Sequence, residues 1–406
     1  MASSPTQSAP DHAAVAAAVS DARLLRVFAR PTGAAVAAAG LFARAARARG
    51  AGFQLRTTRT ETVPDGDGTA VAVGWAAADA PALSPASVDE PLPVAAAEIV
   101  HTAGGEPDPV LALAGAVAAG EHLVPRPTAD GVGTLAETAR QRDAIVHRPG
   151  VATPTGDLAD GLAHSTRLRL PISGDPEAAT TLLSEVGDVV SQSPTDLGPE
   201  AGRDVASLVA LDATSDAPPT AVAAVESVLR PAVTDTPFQT VGGFGDVLAA
   251  TARVDPGLAG AVAVSPGSVR TAALDRWRTH GRTVHASLNG ARTARYDGVS
   301  VVRVDPGDTD EDCSVVAALP AVCRLAATFQ SPESTTLAVT DGGAAVVARD
   351  DHSARELLAT AVDAGGAAGG DPTDTASATV LGTTEHADVR GRLDTATVIE
   401  AVRGAV

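Results

Sequence analysis

An α/β fold in two parts is predicted by three features of the sequence. Short β-branched runs alternate with long Ala-rich helical stretches. The opening order is strand, loop, helix, strand, strand. The 406 residues also exceed what one hydrophobic core usually fills. That opening order is the start of a mostly parallel sheet covered by helices. A smaller α/β part is expected toward the C-terminus, with a helical connector between the two.

The elements follow from local pattern. Residues 12–22 read as a first helix, and Leu24 to Phe28 (LLRVF) as a buried strand ending at ARPTG. A long helix is expected from Gly33 to Arg49, then strands at 53–60 and 69–75, rich in β-branched residues. The Pro-rich stretch APALSPASVDEPLP separates this nucleus from helices expected at 94–103, 108–120 and 130–147. Residues 173–230 read as helical, with loops at SPTDLGPE and SDAPP. A Gly-rich loop at Val241–Asp246 is expected before a helix at 245–253, followed by a strand at 259–264. Next come a helix in SVRTAALDRWRTHGRTVHASLNG, a turn and strand in RYDGVSVVRVD, and a helix in VVAALPAVCRLAATF. TTLAVTDGGAAVVARD is a β-hairpin turning at Asp341, Gly342 and Gly343. The end repeats a helix and a strand in SARELLATAVDAGG and ASATVLG.

Composition bears on habitat before ligand. There are 30 basic residues, all arginine, against 49 acidic ones, for a formal charge of -19. Only 2% of residues are aromatic, so the core must be built from Ala, Val and Leu, at about 0.8 kcal/mol per buried CH₂. This is the composition of a salt-adapted, halophilic cytoplasmic protein. The Debye length falls from about 8 Å at physiological salt to about 3 Å at 1 M, so repulsion among surface carboxylates is weak there. No basic stripe interleaved with aromatics offers a stacking platform for single strands. No basic start precedes an apolar run at the N-terminus, so no secretory signal is expected. The Ala-rich stretches are interrupted by Arg, Gly, His or Glu and read as buried helices, not membrane spans.

Several residues could carry chemistry. Cys313 and Cys323 lack CxxC spacing and a histidine cluster, which favours buried thiols over zinc. His101, His122, His147 and His164, with Asp157, Asp160 and Asp175, are read as solvated or helix-end groups, against a metal cluster. Asp160 and His164 share a helical face at i,i+4. Val241–Asp246 could cradle an anion on its backbone N–H groups, or its glycines could serve tight turns alone; it lacks the GKS/T of a P-loop. Arg276, Arg278 and Arg282 could face phosphate or form a solvated face. Ser265-Pro266-Gly267 has no assignable base, so acyl transfer finds little support.

The order of these pieces resembles the RecJ-like branch of the DHH phosphoesterases, especially its short haloarchaeal members. In that family an H-x-D-x-D-G loop follows the first strand; here the matching segment is Phe28 to Ala35, with Arg30, Pro31, Thr32 and Gly33 in the loop and no metal ligand. The family's next aspartate would fall after VAVGW, where Asp79 stands several residues on. The D-H-H triplet would fall in EPLPVAAAEIVHTAGG, where His101 stands alone; Asp11-His12 precedes the first strand and is not its counterpart. The fourth-aspartate region resembles Asp157 to Arg167. The C-terminal part resembles a DHHA1-type domain: glycines of the Gly365–Gly370 run remain, but Asp371 and Pro372 follow where the family has histidine.

The resemblance implies a flexible 1–20, a DHH-like parallel-sheet domain over 21–190, a helical connector over 191–235, and a DHHA1-like domain over 236–406. A two-metal phosphodiesterase needs carboxylates and imidazoles converging on ions about 3.5–4 Å apart, and the first loop supplies none. No residue is therefore assigned as catalytic, cofactor-binding or metal-binding. The family's precedent is a DHH relative without nuclease activity in the eukaryotic replicative helicase, and archaeal relatives that bind GINS. The expected function is a noncatalytic structural partner in DNA replication or repair, with GINS among its candidate partners and a weak single-stranded nucleic-acid contact. The rival expectation is a single-strand exonuclease or phosphodiesterase using Mn or Mg, which convergence of Asp79, His101, Asp160 and another carboxylate on an open pocket would favour. An RNA-processing accessory protein is a further alternative.

Overall fold

The computed structural model describes residues 12–85, 88, 90–123, 130–187, 189, 192–305, 315–349, 352–365 and 379–406. It divides into two compact units that alternate along the chain: 1–147 with 232–273, and 148–231 with 274–406.

The first unit begins with α1 (His12–Asp21), whose Val15 and Val19 are buried; residues 1–11 lie outside the described residues. β1 (Leu24–Ala29) leads into α2 (Gly33–Ala48), which Thr32 caps by accepting from the Ala35 amide. β2 (Gly52–Thr57), β3 (Thr69–Val73) and the short β4 (Ala82–Leu83) complete a sheet of order β2-β1-β3-β4, every pair parallel. α3 (Leu92–Thr102), α4 (Pro109–Ala119) and α5 (Gly131–Gln141) follow. The helix expected to run to 147 stops at Gln141: Asp143 takes a positive φ of 56°, and Val146–His147 instead form β5.

The second unit opens with α6 (Leu158–His164), α7 (Pro176–Ser184), α8 (Pro199–Thr214) and α9 (Ala221–Val228), the last two in the expected helical connector. The chain then returns to the first unit. There β6 (Ala232–Val233) pairs antiparallel with β5, and α10 (Val241–Val254) and α11 (Pro256–Val264) follow.

Two expectations are corrected here. The Gly-rich loop at Val241–Asp246 is the start of α10, capped by Thr240 through Gly243 N–H at 3.0 Å. Its glycines serve close packing: a Cβ on Gly245 would lie 2.7 Å from the Ala114 carbonyl oxygen of α4. The strand expected at 259–264 is α11. Asp255 caps it and Pro256 sits in its first turn, so capping overrides the β-like appearance of AVAV. The same economy of small residues brings α2 against α11, where a Cβ on Gly40 would meet the Ala263 Cβ at 2.6 Å.

α12 (Pro266–Gly290) carries the chain back into the second unit. β7 (Arg292–Tyr296) and β8 (Val299–Arg303) form a hairpin, where only β8 was expected as strand; Gly298 supplies the positive φ of 75° its turn requires. α13 (Val315–Phe329) precedes the hairpin β9 (Thr335–Thr340) and β10 (Gly343–Ala348), turning at Asp341-Gly342. α14 (Ala354–Gly365), β11 (Leu381–Gly382), β12 (His386–Arg390) and α15 (Thr395–Ala405) finish the unit. The sheet order is β11-β12-β10-β9-β8-β7, antiparallel except for the β8–β9 pair. One face packs on α13 through Ala338, Ala345 and Val347; the other packs Leu337, Val346 and Val389 with Leu358 and Ile399. The fold is therefore α/β, with a parallel-sheet N-terminal part and a C-terminal sheet domain. Gly366–Gly370, Asp371, Pro372 and Cys313 lie outside the described residues. No helix among the described residues is long and apolar enough to cross a membrane.

Candidate functional site

In an open parallel sheet the strand connections reverse direction at one point, and the crevice at the carboxyl ends of the strands there is where ligands bind. β1 lies between β2 and β3, so this point lies at the ends of β1 and β3, where Arg30 and Gly74 begin the two loops.

Arg30 fills it. Its N–H donates to the Val73 carbonyl at 3.0 Å, extending the β1–β3 ladder by one residue. Its side chain is 5% exposed and its guanidinium lies 5.0 Å over the Trp75 ring. One nitrogen donates to the Arg59 carbonyl and the other pairs with Glu61 Oε1 at 2.5 Å. Gly74 makes room: φ is +102°, and a Cβ there would lie 2.6 Å from Arg30 Cγ. Pro31 is buried and Thr32 is committed to capping α2.

Arg26 repeats the arrangement four residues earlier, on the same face of β1. It is 7% exposed, lies 5.3 Å over Phe28, and donates to the carbonyls of Gly66 (2.8 Å) and Pro64. Phe28, Ala72 and Trp75 form a small buried cluster with Val63 packed against it. The segment between β2 and β3 is thus clipped to the sheet by Arg30 at 59–61 and by Arg26 at 64–66. Neither Arg26 nor Glu61 nor Trp75 was singled out from sequence. Two arginines four apart, one inside the otherwise apolar β1 and one directly after it, were the available signal.

The remaining candidates are dispersed. Asp79 is exposed beyond β3, and His101 is exposed in the last turn of α3. His12 begins α1, and His122 is exposed after α4. Burial, then the charge of Arg140, lowers the His147 pKa. Asp157 caps α6 through the Asp160 N–H, and Asp175 caps α7. Ser265 ends α11, with its N–H on the Ala261 carbonyl. Among the described residues, no three His, Cys, Asp or Glu side chains are placed to hold a metal ion.

Asp160 is spoken for within the second unit. Arg278 grips it in a fork, Nε to Oδ1 and Nη2 to Oδ2, both at 2.9 Å, and His164 Nδ1 lies 3.1 Å from Oδ1. Burial pushes the Asp160 carboxyl up, but hydrogen bonds from His164 and Arg278 and the Arg278 charge outweigh it. They hold the carboxyl well below the ordinary carboxylate range. His164 packs edge-on against Trp277, ring centroids 5.7 Å apart, and His285 Nε2 lies 2.9 Å from the Ser165 carbonyl. This cluster joins α6 to α12; of the arginines named from sequence, Arg278 takes part in it, while Arg282 reaches Thr279 on its own helix.

Cys323 is fully buried and donates to the Thr336 and Ala345 carbonyls; burial pushes its thiol up to about 12. In a Cys313→Ser variant, a thiolate-selective reagent at pH 8 is expected to label Cys323 only after denaturant is added, because the thiolate is the reactive form. Mass spectrometry of the folded and unfolded samples reads this, and prompt labelling of the folded protein contradicts it.

Residues 291–404 match the family model described as the C-terminal domain of uncharacterized protein rrnAC1427. The uncharacterized protein rrnAC1427 of Haloarcula marismortui is 38% identical over 414 aligned residues, covering 97% of this chain and 96% of that protein. CDC45 from Entamoeba histolytica superposes with a TM-score of 0.56 at 9% identity, covering 94% of this chain and 95% of that one. RecJ from Thermus thermophilus, in complex with Mn²⁺, aligns at a TM-score of 0.48 and 13% identity, covering 100% of this chain and 55% of that one. The fold is similar to that of CDC45 from Entamoeba histolytica, and, being 38% identical to rrnAC1427 over nearly the full length of both, the chain belongs to the rrnAC1427 family.

Proposed function

We propose that this protein is a noncatalytic RecJ-like member of the DHH superfamily, acting as a structural partner in a DNA replication or repair complex of a salt-loaded cytoplasm. The observation that supports it is the content of the switch-point crevice. A two-metal hydrolase places carboxylates and imidazoles there. Here a buried guanidinium occupies that position, paired with Glu61 and stacked on Trp75. A fixed positive charge repels divalent cations from the position where they would have to bind. The likeness to CDC45, and the family precedent of a component without nuclease activity, favour a role in assembly. GINS is a candidate partner, and any contact with single-stranded nucleic acid is weak.

Titration of Mn²⁺ in molar KCl, with digestion of a 5′-labelled single strand on the same sample, tests the loss of chemistry. The expected result is no stoichiometric heat and no shortening of the strand. One or more equivalents of bound Mn²⁺ together with processive digestion would overturn the reading. Capture of GINS by the tagged protein in molar KCl tests the partner, and its failure at micromolar concentrations removes GINS from the proposal.

A further inference from the structure

We propose that β7, the outer strand of the C-terminal sheet, is a docking edge for an extended acidic segment of a protein partner, which adds to the sheet as a further antiparallel strand. The inference does not depend on the scaffold reading, since an enzyme could carry the same edge, and its test reads neither metal nor digestion.

The backbone supplies the first argument. β7 pairs with β8 alone, so the other side of Arg292–Tyr296 carries no strand. Which groups face that side follows from β8. The Gly298 carbonyl accepts from the Thr335 N–H at 3.2 Å, and the Val304 N–H donates to the Val339 carbonyl at 2.9 Å. Gly298 and Val304 thus serve β9, and with them, by the alternation of a strand, Ser300 and Val302. Val299, Val301 and Arg303 are left to serve Tyr296, Ala294 and Arg292. Thr293 and Arg295 therefore point their N–H and C=O groups outward, and among the described residues nothing bonds to them. Of the devices that close a sheet edge, β7 has no proline and no bulge. It has charge of one sign, which repels a second copy of itself and attracts an acid.

That charge is the second argument. In a chain of 49 acidic and 30 basic residues, β7 carries Arg292 and Arg295 and no acid. Arg303 stands directly opposite Arg292 on β8, a like-charged cross-strand pair that costs stability as it stands. Tyr296 shares the face of Arg292, and Arg403 of α15 lies 3.8 Å over its ring. The side chains of Arg292 and Arg295 are 72% and 68% exposed, although each touches an acid of its own chain, Asp305 at 2.6 Å and Glu333. A guanidinium has several N–H donors, so a second carboxylate can bind without displacing the first. In molar salt charges act over only about 3 Å. Contact pairs in register then count and diffuse attraction does not. This favours a peptide strand over a nucleic acid, whose phosphate contacts weaken steeply with salt.

The pleat fixes the partner's pattern. Arg292, Ala294 and Tyr296 share one face, and Thr293 and Arg295 the other. The added strand needs carboxylates opposite Arg292 and Arg295, on opposite faces, with an apolar side chain opposite the small Ala294. A second copy of β7 offers no carboxylate at either position.

Tyr296 is the single tyrosine of the chain, so incorporation of 3-fluorotyrosine gives one fluorine resonance, on β7 itself. It is titrated in molar KCl with the end-blocked peptide Val-Glu-Ile-Thr-Glu, whose glutamates fall opposite Arg295 and Arg292 in the antiparallel register. A saturable shift is expected. Replacing both glutamates by glutamine should weaken binding at least about tenfold by removing the charge-assisted contacts. Thr293→Pro should weaken it as much, because it removes an outward donor and none of the bonds to β8, and an edge strand tolerates proline. A thermal melt checks that this variant folds; if it does not, the glutamine peptide on the wild-type protein decides. No saturable shift, equal affinity for the glutamine peptide, unchanged binding by a folded Thr293→Pro variant, or the same shift from a single-stranded oligonucleotide would each overturn the proposal. A concentration-dependent shift without peptide, with a dimer seen by light scattering, would also overturn it by giving the edge to a second copy of the chain.

Discussion

Replacing Gly281 by alanine is expected to destabilise the second unit by about 3 kcal/mol, at the upper end of what overpacking costs. A Cβ at this position would lie 2.2 Å from the His164 carbonyl oxygen and 3.0 Å from its carbonyl carbon and Cα. All three are backbone atoms, so no side chain can rotate away; the end of α6 and the middle of α12 must move apart. Trp277 and His285 flank Gly281 at four-residue spacing on the same face of α12 and meet α6 through the His164 ring and the Ser165 carbonyl. The same displacement would therefore loosen both contacts and the Arg278–Asp160 fork. Denaturant unfolding in molar KCl, followed by tryptophan fluorescence and circular dichroism, measures the effect. Gly290→Ala is the control: nothing lies within 4 Å of a Cβ there, so its midpoint should barely shift. A loss below about 1 kcal/mol for Gly281→Ala would mean that the helices accommodate the methyl group and that their close approach is not needed.

Asp160→Asn is expected to cost about 2 kcal/mol at pH 7. That is less than the 3–5 kcal/mol typical of breaking a fully buried pair, because Arg278 is 32% exposed and water screens part of the loss. The pH dependence separates this from a packing defect. The folded-state carboxyl is held below its ordinary value, which is about 3.9 in an unfolded chain. The folded state therefore binds this proton less readily than the unfolded state does. The stabilisation is fully present above that ordinary value and is lost as pH falls toward the lower folded one. Asparagine does not titrate, so the gap between wild type and variant should stay constant from about pH 7 to pH 5 and close below about pH 4. Unfolding free energies at a series of pH values read this directly. A gap that persists unchanged into acid would show that asparagine disrupts packing and that the ion pair contributes little.

Much of the first sheet was legible in the sequence. LLRVF and TAVAV are short β-branched runs bounded by turn residues, and the Ala-rich stretch between them has no other use than a buried helix. The expected helix starts at Gly33 and Asp108 fall within a residue of the observed ones, where Thr32 and Asp108 accept the first free amides. The Asp-Gly turn of the β9–β10 hairpin was equally plain. The errors came where side-chain identity was ambiguous. AVAV reads as strand or helix with equal ease, and only the Asp255-Pro256 cap decides it. The glycines of α10 look like a loop because their cost in a helix is offset by a neighbour's backbone, which the sequence does not display.

The site divides in the same way. The sequence by itself determined that the loop after β1 carries arginine, proline, threonine and glycine where a metal enzyme needs acids and imidazoles, since ligand chemistry belongs to residue type. It determined too that Asp160 and His164 share one face of a helix, a turn apart. Only the tertiary structure decided that Arg30 meets Glu61 and Trp75, 31 and 45 positions away in the chain, and that Asp160 is claimed by Arg278, 118 positions away. Capping and periodicity are set within a few residues and can be read along the chain. Pairing across a sheet or between helices depends on which strands and helices the fold makes neighbours, and that is settled by burial of the whole core.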